Sequence, residues 1–227
     1  MQRGEVPKAS RTRIRLVRWA LVVVGLALNL GLSFGTDLYR GDEATRADKA
    51  AATRALVSAA DLGEGWVTES GEDAGVTVGL TEGEAECLGV DFAEPEFERG
   101  SSFFSKGDMT LAAWVAVWPD EVAAAAVRDA MARPDYPPCL VAQLQSEQDE
   151  ESSDRARVSM LASPASPDPT VQRFSVDYRW PDGSTQTSET YQAFKGRFQV
   201  VVLAWAPGDV DQAPALDLVR KMLARLG

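Results

Sequence analysis

The sequence contains no histidine, and that absence removes a large share of enzyme chemistry. Without imidazole there is no Ser-His-Asp or Cys-His nucleophile pair, no histidine general base and no histidine-containing metal site. Cysteine is scarce as well, with two residues in 227, which excludes thiolate zinc sites and iron–sulfur clusters. No Ser-x-x-Lys spacing occurs, so the serines lack a lysine base in that arrangement. Glycine-rich phosphate loops are missing too: Gly63-Glu64-Gly65 is followed by neither a helix pattern nor a lysine. Basic charge is in deficit, and a net charge of −11 argues against nucleic acid, because phosphate binding needs a basic field. These gaps leave no pattern for a cofactor or a metal, and none is expected.

What is present is an ordinary globular balance, 45% hydrophobic and 25% charged, enough apolar surface for a core. The length suits one domain with appendages. The charge is sorted, however. Residues 1–35 hold Arg3, Lys8, Arg11, Arg13, Arg15 and Arg18 against the single acid Glu5, a balance of +5 that leaves −16 for residues 36–227. Between the two regions, residues 19–34 (WALVVVGLALNLGLSF) run for sixteen positions without a charge. Adding Leu16 and Val17, with Arg18 reaching the headgroups along its own alkyl stem, gives nineteen residues, about 28 Å of helix and roughly one hydrocarbon core. The cations lie on the N-terminal side, so the positive-inside rule keeps residues 1–18 cytoplasmic and sends the remainder outside. The segments expected are a basic cytoplasmic stretch over 1–18, a transmembrane anchor over 19–35, a polar tether over 36–48 and an exported domain over 49–227.

A cleaved signal peptide is the competing reading, with Ser33-Phe34-Gly35 supplying small residues before Thr36. The long basic region, the long apolar run and the lack of Ala-x-Ala favour the uncleaved anchor. No cysteine follows the run, which excludes a lipid-anchored lipoprotein, and the alternating arginines exclude a twin-arginine signal. Both readings export the body. Cys87 and Cys139, 52 positions apart and without Cys-x-x-Cys spacing, then suit a structural disulfide in an oxidising compartment. Closing such a loop stabilises by ~4 kcal/mol in the chain-entropy model.

Along the body, the alanine-rich stretch 45–60 predicts a helix with Leu56, Val57 and Ala60 on one side, ended by Gly63 and Gly65. Trp66 opens an extended segment in which Val76, Val78 and Leu80 alternate. Residues 101–105 and 109–118, joined by Lys106-Gly107-Asp108, predict a hairpin. Its second strand puts Met109, Leu111, Ala113, Val115 and Val117 on one face and Trp114 and Trp118 on the other, a central strand covered on both sides. Asp120 is placed to cap a helix that Pro134 breaks; Pro137-Pro138 start a short second helix carrying Cys139, Leu140 and Leu144. The run 147–154 (EQDEESSD) reads as a solvated acidic loop, without the glycine turn or spacing of a calcium-binding EF-hand. Strands follow over 158–162, 174–180, 185–194 and 198–205, and a final helix capped by Asp209 or Asp211 presents Leu216, Val219, Met222 and Leu223. Hairpin connections make the sheet antiparallel, so the fold class expected is α+β, a sheet flanked by helices.

Few residues qualify for chemistry. Glu94, Glu96 and Glu98 are paired carboxylates of the kind glycoside hydrolysis uses, but sequence neighbours rarely flank a scissile bond. Asp209 and Asp211 suit a helix cap better than a metal pair. No catalytic residue is assigned. The aromatic set remains: Trp66, Trp114, Trp118, Trp180 and Trp205, with Phe103, Phe104, Tyr178 and Tyr191, fits a tryptophan-rich core or an apolar cavity lined by Trp114 or Trp118.

A helix running into Asp61-Leu62-Gly63-Glu64-Gly65-Trp66, the Cys87-Leu88 pair, the strand–helix–cysteine order over 109–139, and a closing strand followed by a C-terminal helix resemble a group of actinobacterial cell-envelope proteins. These are mycobacterial lipoproteins with a PsbP/Mog1-like fold and the extracellular sensor domains of receptor kinases. The resemblance covers roughly 50–227. It implies an antiparallel sheet flanked by helices, a disulfide, and a binding or sensing role. The chain departs from both groups in lacking the lipoprotein cysteine and a kinase domain. The expectation is a non-catalytic, membrane-anchored extracytoplasmic binding domain, its partner a lipid, a small apolar ligand or an envelope protein; a subunit of an envelope or secretion assembly is the alternative.

Overall fold

The computed structural model of the protein describes residues 45–69, 78–151, 156–161, 166 and 168–227. The anchor assigned to 19–35, most of the tether and Val76 lie outside them. Among the described residues no helix is long and apolar enough to cross a membrane. In chain order the elements are α1 (Arg46–Ala55), α2 (Ala59–Leu62), β1 (Val67–Thr68), α3 (Glu82–Leu88), β2 (Phe97–Gly100), β3 (Phe104–Lys106) and β4 (Met109–Val117). They continue with α4 (Glu121–Met131), α5 (Tyr136–Glu151), β5 (Arg157–Met160), β6 (Gln172–Arg179), β7 (Thr185–Lys195), β8 (Phe198–Ala206) and α6 (Gln212–Arg225).

All strand pairings are antiparallel, in the order β1-β3-β4-β8-β7-β6-β5, with β2 sharing the edge of β4 that β3 also uses. The antiparallel α+β sheet expected from the hairpin signals is therefore present. At its centre β4 is apolar on both sides, as its alternation requires. Leu111, Ala113, Val115 and Val117 pack with α1 and α6, while Ala112, Trp114, Ala116 and Trp118 face Val78, Leu80, α3, α4 and α5. Burial of both faces makes this strand the spine of two cores rather than one.

Local chemistry sets the boundaries, and several differ from expectation. The helix predicted over 45–60 is two: Thr45 and Asp48 form a capping box for α1, and Ser58 and Asp61 form a second one that restarts the chain as α2. Ala60 is consequently exposed, and Ala52, Ala55 and Val57 supply the buried side instead. Helix α1 also takes in Arg46 and Asp48, at the end of the expected tether. The hairpin turn is Gly107-Asp108, with Gly107 at φ +62°, and its first strand is interrupted. Gly100 pairs with Trp114 and Phe104 with Leu111, so four steps on one strand oppose three on the other. That is a β-bulge, fixed where the Ala113 amide donates to Ser101 Oγ (3.0 Å) and the Ser101 amide to the Ala113 carbonyl (2.7 Å). The strand over 97–100 carries too little apolar alternation to announce itself.

Asp120 does cap α4, accepting from the Ala123 amide at 2.7 Å, and Asp211 caps α6, accepting from the Ala213 amide at 3.1 Å. The short second helix is in fact 16 residues long and takes in the first part of the run expected to be an acidic loop. No glycine or proline lies between Cys139 and Glu151 to stop it, and its charge run is compatible with a solvated helix. Strand β6 is covered on both faces, with Val176 buried on one and Ser175 on the other.

Candidate functional site

The five tryptophans do not converge. Trp66 packs in the α1/α6 core, on the opposite face of the sheet from Trp114, which sits among Val78, Ala112, Ala116 and Val201. Trp118 belongs to the α4/α5 core. Trp114 and Trp118 are 1% and 0% exposed, filled in rather than lining a space. Trp205 meets Phe103 at 5.8 Å between ring centres, and Trp180, just past the end of β6, stacks on Tyr178 at 6.2 Å. Of the two readings open for the aromatic set, these positions suit a packed core.

The indole of Trp118 opens a chain of amides instead. Its Nε1–H donates to Gln199 Oε1 (3.1 Å), Gln199 Nε2 to Gln192 Oε1 (2.9 Å), Gln192 Nε2 to Gln172 Oε1 (2.9 Å), and Gln172 Nε2 to the Arg128 carbonyl (3.0 Å). This ladder crosses β8, β7 and β6 into α4 with each named amide hydrogen-bonded, as buried amides must be. On the other face, Arg173 of β6 holds Glu189 of β7 in a fork, Nε to Oε2 at 3.1 Å and Nη2 to Oε1 at 2.5 Å. Both side chains are 5% exposed, and the Tyr191 hydroxyl also donates to Glu189. Burial holds the Tyr191 phenol well above its usual range, and the hydrogen bond to Glu189 adds to that. Removing either member of the Arg173–Glu189 pair leaves the other as an uncompensated buried charge.

The acidic triplet is dispersed. Glu96 is taken by Arg197 Nη2 at 2.7 Å, Glu98 lies on β2, and Glu94 is exposed in the preceding loop. Among the described residues no group of three metal-ligating side chains comes together.

The place where unusual features meet is the junction of α3, α5 and the start of β6. Cys87 of α3 and Cys139 of α5 are bonded, with Cα atoms 5.8 Å apart. Thr81 and Glu84 form the capping box of α3, and Glu84 Oε2 accepts from the Thr81 amide at 2.8 Å. This carboxylate is only 3% exposed, and its Oε1 accepts from the Tyr136 hydroxyl at 3.3 Å. Burial pushes the Glu84 carboxyl above the ordinary carboxylate range against those hydrogen bonds. Burial, with the charge of Glu84 beside it, raises the Tyr136 phenol well above its own range. The Tyr136 ring, at the first residue of α5, meets Phe174 of β6 edge-on at 5.0 Å.

Phe174 lies in turn against an open groove of about 520 Å³ between the α4–α5 turn and the entry to β6. Met131, Pro134 and Pro137 form one wall and Val171 and Phe174 the other. Arg133, forked onto Asp135 at 2.9 and 2.6 Å, stands at the rim with its charge compensated. None of the five tryptophans lines it. Two signals in the sequence pointed here without being joined: Thr81-x-x-Glu84 has capping-box spacing, and Pro134 with Pro137-Pro138 brackets a rigid turn. What could not be read was that Phe174, 37 residues beyond Pro137, would close the other side.

What the fold defines is an α+β domain with a helix layer on each sheet face and an open groove at one end of one layer. No protein-family model and no curated protein matches the chain. Among solved structures it is similar to the extracellular domain of PknH from Mycobacterium tuberculosis, at 12% identity and a TM-score of 0.43, with 78% of this chain and 96% of that one covered. It is also similar to an uncharacterized protein of Mycobacterium smegmatis, an Rv0999 ortholog, at 14% identity and a TM-score of 0.37, covering 75% of this chain and 97% of that one. These scores are too low for a residue or an activity to be carried across.

Proposed function

We propose that the chain is a membrane-anchored, extracytoplasmic, non-catalytic binding domain that grips an apolar portion of its partner in the groove between Pro134, Pro137 and Phe174. The observation that carries this reading is the groove itself, an open space lined by Pro134, Pro137 and Phe174 together with Arg133, Asp168 and Arg173. Export is supported by the basic head before the apolar run and by the bonded cysteines, two independent features that favour the same side of the membrane. The reading without catalysis is supported by the tying of Glu84 to Thr81 and Tyr136 and of Glu189 to Arg173 and Tyr191, and Glu98, pushed up to about 7 by burial, accepts from the Val78 amide at 3.4 Å. A general acid or base must be able to reach a substrate, and these are committed to the fold.

One observation favours a second reading, an interaction subunit of an envelope assembly. The groove is open rather than enclosed, which admits a segment of a larger partner as readily as a small molecule. A photo-crosslinking residue at Pro137, with Asp108 in the distant hairpin turn as control, tests both in intact cells. A discrete adduct from position 137 and none from 108 supports the groove, and its added mass separates a small apolar ligand from a protein. No adduct, or equal labelling from both positions, refutes it. The anchor is tested separately: the protein should stay with membranes after a high-salt wash, whereas a soluble form beginning near Thr36 indicates cleavage.

A further inference from the structure

We propose that the Cys87–Cys139 bridge is a redox-operated clasp on the groove, whose reduction releases α3 and, through Tyr136 behind the groove, loosens Pro137 on one wall and Phe174 on the other. The proposal rests on the groove reading and adds its regulation. Helix α3 has seven residues, too few to be stable without tertiary contacts. Besides the disulfide it is held through buried Ala85 and Leu88 and through Glu84, a charge taken out of water. The clasp therefore restrains an element that carries a standing cost of its own. One side of the bridge is accessible: Cys87 is exposed while Cys139 is buried, so an attacking thiolate can reach the outer sulfur.

The route to the groove is short. Cys139 is two positions from Pro137, and Tyr136 is tied at one end to Glu84 and at the other to Phe174. When α3 leaves, the Tyr136 hydroxyl loses its acceptor while its ring is buried, and a buried hydroxyl without a partner drives the ring toward water. In the chemical step a dithiol reductant gives two electrons to the S–S bond. That bond breaks, each protein sulfur takes a proton to become a thiol, and the reductant closes to its own disulfide.

The test is hydrogen exchange on the full-length protein in detergent, oxidised and after treatment with a dithiol. Reduction should abolish amide protection over 82–88 and weaken it over 131–137, leaving β4, β7 and β8 protected. Glu84→Gln preserves the capping-box spacing and removes the buried charge, so reduced E84Q should keep α3 protected. Protection of α3 that survives reduction in the wild type overturns the clasp, as does loss of protection across the whole sheet, or reduced E84Q behaving like the reduced wild type. Crosslinking from position 137 separates this from failure of the groove. Adducts in both redox states sink the clasp and leave the groove standing, whereas no adduct even when oxidised sinks the groove.

Discussion

Replacing Gly100 with alanine isolates a steric effect of one methyl group. Gly100 ends β2 opposite Trp114, and its backbone does not have a positive φ, so alanine meets no torsional penalty there. A Cβ built at this position falls 2.6 Å from Trp114 Nε1 and 2.9 Å from its Cδ1. Ordinary contacts begin near 3.5 Å, so the overlap is close to an ångström. The indole is 1% exposed and wedged among Val78, Ala112, Ala116 and Val201, so it has nowhere to retreat, and β2 must lift from β4 instead. Overpacking of this kind costs about 1–3 kcal/mol. Chemical denaturation followed by far-UV circular dichroism reads the loss. A second arm makes the cause specific: Trp114→Ala removes the ring whose Nε1 and Cδ1 atoms the new methyl strikes, so G100A should cost far less in the W114A background. Gly107→Ala is the contrasting control, since its added Cβ meets open space and only the φ of +62° is penalised, at about 1 kcal/mol, with no coupling to Trp114. A G100A cost below about 0.5 kcal/mol, or strict additivity with W114A, refutes the packing described for this face.

The other predictions concern the charged and bonded groups. Cys87→Ser should lower stability under oxidising conditions by about 2–4 kcal/mol, and a wild-type melting temperature indifferent to reductant refutes a stabilising bridge. Glu84 binds its proton more tightly folded than unfolded, so its share of the stability is fully present below the ordinary carboxylate range and is lost as pH rises through its raised pKa. E84Q should lack that decline, and denaturation midpoints that run parallel to wild type across acid to neutral pH refute the burial argument. Arg173→Met strands the buried Glu189 carboxylate and should cost about 3–5 kcal/mol, whereas R173M with Glu189→Leu should recover part of the loss, the Tyr191 hydroxyl losing its acceptor there; equal instability of single and double variants refutes a stranded charge as the cause.

The parts of this fold that could be read in the sequence are those where one physical cue dominates. The two-sided apolar alternation of β4 has a single good solution, a central strand, and Asp120 before an alanine-rich run has few uses other than a cap. Export chemistry and cysteine parity lead to the Cys87–Cys139 bond without any structural input. Where a residue serves a partner far along the chain, the local cue misleads. Arg173 and Glu189 look like the solvent side of strands, because a charge that neutralises another sixteen positions away is indistinguishable, locally, from one facing water. Glu84 looks exposed for the same reason, and only the packing of α5 over α3 buries it. The acidic end of α5 reads as a loop on charge density, but no glycine or proline stops the helix there.

The aromatic residues illustrate how far composition can be pushed toward function. Many tryptophans in one small sheet are compatible with a cavity, but a cavity needs side chains that stop short of one another. Here the indole of Trp118 ends on Gln199, that amide on Gln192, and the next on Gln172, so the space beneath α4 is filled by a polar ladder in which each member fixes the next. A ligand entering there must break a run of buried hydrogen bonds, each break leaving donors and acceptors unpaired. At the groove the balance runs the other way. Its lining includes the rings of Pro134, Pro137 and Phe174, whose release from water on contact is favourable and which give up no hydrogen bond to a partner, beside Arg133, Asp168 and Arg173. Contact at the α4–α5 turn, as proposed, leaves the cores intact, and the positions of the tryptophans suit a packed core.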